Sequence, residues 1–147
     1  MTKKKIHEPV KIGIIGGSGV YNLEGITEIR EVKIKTPFGD PSDSVIIGNF
    51  KGRHVAFLPR HARGHKILPS EVNSQANIYA LKSLGVERII AISACGSLKE
   101  EIEPRHFVVP EQIFDKTYRR NPSFYGKGIV GHVSFAEPYC GHMRQVA

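Results

Sequence analysis

The stretch VKIGIIGGSG, residues 10–19, decides the fold, because it joins a continuous apolar run to a cluster of glycines. An apolar run without alternation is typical of a strand that is buried on both faces of a sheet. The glycines let the backbone adopt positive φ and approach a ligand closely, so their N–H groups become available to an anion. The spacing matches neither the dinucleotide pattern nor the P-loop, so a tight turn that closes the strand is the alternative interpretation.

The rest of the chain contains six predicted strands and two predicted helices. Apolar patterns predict further strands at residues 29–36, 44–50, 53–59, 87–93, 107–110 and 128–135. Apolar residues at helical spacing predict a helix from Ser70, as its N-cap, to Leu84, with Gly85 at its end. A second helix is predicted to open at residues 137–140. These elements together predict an α/β protein with a mixed, twisted sheet.

Length and composition indicate one globular domain. The chain has 147 residues, of which 40% are hydrophobic and 24% charged. We expect a basic tail at residues 1–9 and one domain at residues 10–147. No apolar run is long enough to span a membrane, and no secretory signal opens the sequence, so we expect a cytoplasmic protein with no membrane partner. Because a doubly buried sheet needs covering helices that are scarce here, we expect the domain to be incomplete.

The net charge of +7 raises the question of a nucleic-acid partner. The densest basic cluster, RHARGHK at residues 60–66, contains no Phe, Tyr or Trp and matches no nucleic-acid-binding motif, so we expect no such partner. Its local positive field suits a small anion. The two cysteines, Cys95 and Cys140, have neither C-x-x-C spacing nor a metal-ligand spacing with histidine, so we expect no metal. Cys95 is interpreted as a small buried thiol rather than a nucleophile.

Three predicted strands end in small or cationic residues, at residues 16–19, 60–61 and 93–96. Ligands of open α/β sheets bind beyond the carboxyl ends of the strands. Side by side, these ends would form a phosphate pocket in which Arg60 binds two oxygens while Ser18 and Ser93 each donate one hydrogen bond. Each residue also has a plainer interpretation: Arg60 as a surface ion-pair partner, His61 as the cap of a turn and Ser93 as a small packing residue.

The same segments resemble the purine nucleoside phosphorylase superfamily, and in particular its methylthioadenosine phosphorylase branch. The matching stretches are IGIIGGSGV (12–20), TPFGDPSD (36–43), LPRHARGH (58–65), PSEVNSQANI (69–78), SACGSL (93–98) and AEPYC (136–140). The resemblance covers nearly the whole chain, yet it implies that residues 10–147 are only the N-terminal portion of a single phosphorylase-like domain. It also implies a distorted barrel flanked by helices, and a homotrimer or a hexamer.

The resemblance implies an activity, the phosphorolysis of methylthioadenosine to adenine and methylthioribose 1-phosphate, with inorganic phosphate as co-substrate and no other cofactor. The residues implied to contact phosphate are Ser18, Arg60, His61, Ser93 and, through its backbone N–H, Ala94. Those implied to contact the nucleoside are Ala94, Cys95, Gly96 and His132, the last in a neighbouring subunit. In the family, the carboxylate that serves the leaving base lies in the second half. We therefore expect no catalytic residue in this chain and no turnover by the 147 residues alone.

The sequence departs from the family pattern at two places, and two alternative functions stay open. Pro104-Arg105-His106 stands where the family usually has Pro-Gly-Asp, and Ser74 stands where an aromatic residue is common. One alternative is a phosphorylase for 6-oxopurine nucleosides. The other is a catalytically inactive module that binds phosphate or a nucleoside. Without a family resemblance, His132 would be an ordinary half-exposed strand histidine.

Overall fold

The computed structural model describes residues 9–17, 19, 24–126 and 128–147, which fall into two compact units, Met1–Ser93 and Ala94–Ala147. In the first unit lie five strands and one α-helix: β1 (Ile12–Gly16), β2 (Ile26–Val32), β3 (Val45–Phe50), β4 (Arg53–Pro59), α1 (Ser74–Ser83) and β5 (Arg88–Ala91). A short 3-10 helix, Pro69–Glu71, precedes α1. The second unit contains α2 (Gly141–Val146). Of the predicted basic tail, residues 1–8 lie outside the described residues, so that prediction is not tested.

The strands form one mixed sheet in the order β2-β3-β4-β1-β5. β1 is parallel to both β4 and β5, whereas β2, β3 and β4 are successively antiparallel. The predicted α/β class and mixed sheet are therefore confirmed. Among the described residues the sheet is open, with β2 and β5 at its edges. Because β1, β4 and β5 run in the same direction, their carboxyl ends lie at the same end of the sheet.

The core of the first unit lies between α1 and one face of the sheet. Alternate residues of a strand point to opposite faces, so Val45 and Ile47 of β3 join the cluster that includes Ala80 and Leu81 of α1, whereas Ile46 packs on the other face with Phe57. Gly13 of β1 has no side chain, so Leu81 of α1 and Val86, which follows the helix, can pack closely against its backbone. A Cβ at this position would lie 3.0 Å from Cγ1 of Val86 and 3.2 Å from Cδ1 of Leu81.

The start of α1 differs from the prediction. Ser70 belongs to the separate 3-10 helix, and the N-cap of α1 is Asn73, whose Oδ1 accepts a hydrogen bond of 3.1 Å from the backbone N of Ala76. The 3-10 helix is closed by its own contact, in which Leu68 N donates to Oε2 of Glu71 at 3.0 Å. The assignment of Ser70 as N-cap is thus wrong. The predicted helix stop is confirmed, since α1 ends at Ser83 and Gly85 has a φ of 92°.

β5 differs from the prediction in its burial. An unbroken apolar strand was expected to be covered on both faces, but all four residues of β5 are exposed, and the exposed fractions of Ile89 and Ile90 are 37% and 41%. The reason is its position, because β5 is an edge strand that pairs with β1. Its apolar side chains are therefore only partly covered within the first unit.

The second unit has little regular structure. Over the residues that the structure describes, 107–110 and 128–135 form no strand, and Gly126 and Ile129 make an isolated bridge. Strand propensity depends on pairing and packing, and Phe107, with 95% of its surface exposed, finds neither. α2 starts at Gly141, one residue after the predicted opening segment, with Cys140 as its N-cap. Of the helices in the described part of the chain, none combines the length and apolar character that crossing a membrane requires.

Candidate functional site

The carboxyl ends of β1, β4 and β5 bring together residues from three distant parts of the chain. Arg60 directly follows β4, and its backbone N donates a hydrogen bond of 2.8 Å to the carbonyl oxygen of Gly16, the last residue of β1. Its Nη1 donates a hydrogen bond of 2.7 Å to Oγ of Ser93, which follows β5. Arg60 and Ser93 therefore meet, as the direction of the strands predicts. Ser18, the third predicted residue, lies outside the described residues.

His61 orients the guanidinium of Arg60. Nε of Arg60 donates to Nε2 of His61 at 3.2 Å, and Nδ1 of His61 lies 2.9 Å from the carbonyl oxygen of Ile67. A carbonyl oxygen only accepts hydrogen bonds, so we assign the proton to Nδ1 and the acceptor role to Nε2. This is the Nδ1–H tautomer of the neutral ring. The His61 side chain is buried, and the ring of His65 stacks on it with the centroids 4.6 Å apart.

The contacts of Arg60 bear on its interpretation as a surface ion-pair partner. Arg60 bonds to two neutral side chains, His61 and Ser93, whereas the carboxylate of Glu31 pairs with Arg63. A guanidinium has five N–H groups, and those two contacts use two of them. Within the described part of the chain, Arg60 forms no ion pair with a carboxylate, and its role toward phosphate stays a prediction.

The turn after β4, residues 60–67, has an unusual backbone. Ala62, Gly64 and His65 have φ values of 59°, 81° and 56°. For a residue with a Cβ, the left-handed conformation costs about 1–3 kcal/mol and persists only where its surroundings hold it, which is common at functional sites. Inside the turn, Lys66 N donates to the carbonyl oxygen of His61 at 2.9 Å. The turn therefore has a defined backbone conformation that is held by internal hydrogen bonds.

The other predicted site residues belong to the second unit. Ala94, Cys95 and Gly96 follow Ser93 along the chain and are exposed, so the interpretation of Cys95 as a buried thiol is wrong. His132 is also exposed, and it lies outside any strand. Their roles toward phosphate and nucleoside stay predictions. Among the residues described, no three or more histidine, cysteine, aspartate or glutamate side chains are grouped to hold a metal ion.

Sequence reasoning missed a polar network beside the turn. Ser42 N donates to Oδ1 of Asn77 at 2.7 Å, and Nδ2 of Asn77 donates to Oγ of Ser42 at 2.9 Å, with both residues buried. Oδ2 of Asp43 accepts a hydrogen bond of 2.9 Å from the backbone N of Arg63. Two signals pointed here: the motif at residues 36–43, to which no role was given, and an asparagine among the core positions of α1.

Comparisons with known proteins show the family to which the chain belongs. The family model of the phosphorylase superfamily matches residues 11–147. An S-methyl-5'-thioadenosine phosphorylase of Koribacter versatilis is 55% identical over 136 residues, which are 92% of this chain and 47% of the relative.

Solved structures are similar as well. A methylthioadenosine phosphorylase from an antarctic soil metagenomic library has a TM-score of 0.91 at 48% identity, with 94% of this chain and 48% of the other covered. Methylthioadenosine phosphorylase from Schistosoma mansoni in complex with adenine has a TM-score of 0.86 at 46% identity, with coverages of 93% and 51%. The chain spans about half the length of the curated relatives it matches.

Proposed function

Since this chain belongs to the phosphorylase superfamily, we propose that it acts in the phosphorolysis of S-methyl-5'-thioadenosine and supplies the phosphate-binding part of the site. The similarity to a phosphorylase named for this substrate, and to one in complex with adenine, supports the choice of nucleoside. The observation that carries the proposal is the hydrogen bond between Arg60 and Ser93 at the carboxyl ends of β1, β4 and β5.

The proposed site holds phosphate with charge-assisted hydrogen bonds. Arg60 presents a planar set of N–H groups that can bind two oxygens at once, and each such bond contributes about 1.5–3 kcal/mol. Ser93, the backbone N–H of Ala94 and Ser18 are the further proposed donors. The resemblance implies a direct phosphate contact for His61, but both of its ring nitrogens have protein partners. We therefore propose that His61 acts through Nε of Arg60 and fixes the plane of the guanidinium.

The bound phosphate has two tasks in this chemistry. As the C–N bond of the nucleoside breaks, the ribosyl group gains positive charge, which a phosphate dianion held against it stabilises. The same dianion then bonds to the anomeric carbon, and its fixed position makes that step effectively intramolecular. The leaving adenine needs a hydrogen bond or proton at a ring nitrogen, and no residue of this chain is assigned to that role.

The nucleoside contacts and the assembly belong to the same proposal. Cys95 and Gly96 would lie beside the purine, and His132 would reach the methylthio end of a nucleoside bound in a neighbouring subunit. This requires an oligomer, proposed as a homotrimer or hexamer. We also propose a cytoplasmic location, no cofactor besides phosphate and no nucleic-acid or membrane partner. The resemblance described above supports these points.

A chimera tests the function. The matched 136 residues of the Koribacter versatilis relative are replaced by the corresponding residues of this chain, so that the rest of the protein comes from that relative. We expect adenine release from methylthioadenosine that depends on phosphate. In the chimera, Arg60→Ala should raise the KM for phosphate by at least about tenfold and leave the KM for the nucleoside within about twofold.

Two results would contradict the proposal. A folded chimera that releases no adenine would support an inactive binding module. An Arg60→Ala chimera with the parent's KM for phosphate would remove Arg60 from the phosphate site.

A further inference from the structure

We propose that Asp43 is a positioning residue of the phosphate site, whose carboxylate holds the 60–67 turn in the conformation that aims the guanidinium of Arg60. The identity of the ligand rests on the proposed function, but the positioning itself does not. Asp43 ends the motif TPFGDPSD, at residues 36–43, to which the proposed function assigns no role.

The carboxylate of Asp43 joins two backbone segments. Oδ1 accepts a hydrogen bond of 2.7 Å from Ser44 N, just before β3, and Oδ2 accepts one of 2.9 Å from Arg63 N, in the middle of the turn. Hydrogen bonds to an ionised acceptor are roughly twice as strong as neutral ones. One side chain therefore ties the start of β3 to the turn that follows β4.

Asp43 acts where the turn is strained. Ala62 and His65 have positive φ, and Arg63 lies between them. Such a backbone relaxes unless contacts from elsewhere hold it. The bond from Arg63 N to Asp43 is a contact from outside the turn at this point, and the ion pair of the Arg63 side chain with Glu31 adds a second.

The conformation of the turn determines where the His61 ring lies. The ring is held by the carbonyl oxygen of Ile67 and by the stacked ring of His65, both from the later part of the turn. If the turn relaxed, both would move, and Nε2 of His61 would no longer face Nε of Arg60. The backbone of Arg60 is bonded to Gly16, so the change would fall on its side chain.

The loop that carries Asp43 is itself anchored to α1. The paired hydrogen bonds between Ser42 and Asn77 are buried, and Nδ2 of Asn73 donates to the carbonyl oxygen of Phe38 at 2.7 Å. The rings of Phe38 and Tyr79 also meet edge to face, with centroids 5.6 Å apart. A connected path of contacts thus leads from α1 through the loop and the turn to Arg60.

The direction in which the phosphate affinity changes when Asp43 is replaced separates a positioning role from a purely electrostatic one. Removing a carboxylate near an anion site should by charge alone tighten phosphate binding, because a like charge is lost. Loss of positioning should weaken it. Asp40→Ala is the matched control, since Asp40 is an exposed aspartate of the same loop and the change in charge is identical.

The test uses the full 147-residue chain with two measurements. Nitrogen NMR follows the Nε–H signal of Arg60 and the ring nitrogens of His61, and calorimetry measures the Kd of inorganic phosphate. We expect Asp43→Ala to shift the Arg60 and His61 signals and to raise the Kd about tenfold. Asp43→Asn, which keeps one acceptor oxygen, should give a smaller change, and Asp40→Ala should leave the signals unchanged and the Kd equal or lower.

The results distinguish the two proposals. Unchanged Arg60 and His61 signals in folded Asp43→Ala would overturn the positioning role, whatever phosphate does. Shifted signals in a chain whose wild type binds no phosphate would support positioning and count against the proposed function. If Asp43→Ala does not fold, Asp43→Asn decides by the same signals, because it preserves the size of the side chain.

Discussion

At the scale of single residues, the defining feature is an arginine with neutral partners. Arg60 is oriented by an imidazole nitrogen and a hydroxyl oxygen, so both its direction and its charge stay available for an anion. An arginine paired with a carboxylate, as Arg63 is with Glu31, has much of its charge already satisfied. The two arginines are three positions apart and have different consequences when changed.

This difference predicts the effect of Arg60→Lys. Lysine keeps the charge but loses the planar set of donors and the Nε–H that His61 accepts. We expect the Kd for phosphate, measured by calorimetry on the full chain, to rise about tenfold despite the unchanged charge. Arg53→Lys, at the exposed first residue of β4, is the control and should change the Kd by less than about twofold. An unchanged Kd in Arg60→Lys would mean that the charge of this side chain, and not its planar set of donors, determines phosphate binding.

The residues that could be predicted are those that the direction of the strands brings together. Arg60 and Ser93 each follow a strand parallel to β1, so their meeting follows from the general rule on carboxyl ends. The contacts of Asp43 and Asn77 could not be predicted, because they depend on how a loop packs on α1 and on the turn, and no strand direction brings these partners together.

At the scale of elements, the apolar runs predicted the strands correctly where a strand lies in the middle of the sheet. β1, β3 and β4 were predicted to within two residues, since burial on the sheet requires the apolar runs that reveal them. β2 starts three residues earlier than predicted and contains an irregularity between Thr27 and Arg30. The predicted strands of the second unit were wrong, because propensity without a partner strand does not make a ladder.

The start of α1 gives a test at this scale. Asn73→Ala removes both the cap on Ala76 N and the bond to Phe38, so we expect a loss of about 1–2 kcal/mol in the free energy of unfolding, measured with urea. Ser70→Ala, at the position that the sequence favoured, should cost less than about 0.5 kcal/mol. A cost at Ser70 equal to that at Asn73 would place the start of the helix one turn earlier.

At the scale of the whole molecule, the two units differ in how they bury apolar side chains. The first has a cluster of buried apolar residues on each face of its sheet. In the second, large apolar side chains such as Phe107, Phe114 and Val130 are at least 81% exposed. The chain spans about half the length of the curated relatives it matches.

We therefore expect the 147-residue chain to bind phosphate without releasing adenine. The phosphate contacts are proposed within it, but no residue is assigned to stabilise the leaving base. Chromatography of a reaction with methylthioadenosine and phosphate should detect no adenine from the chain, whereas the chimera provides the positive control. Adenine from the purified chain would mean that its own residues complete the catalytic machinery.

The hydrogen bond from Arg60 N to Gly16 O has a mechanical consequence. It extends the ladder between the two innermost parallel strands by one rung, to the very residue that would hold the anion. A ligand bound to that guanidinium therefore acts on a residue whose backbone is anchored to the sheet rather than on a free loop tip, so the backbone resists displacement of the cation while the substrate bond breaks.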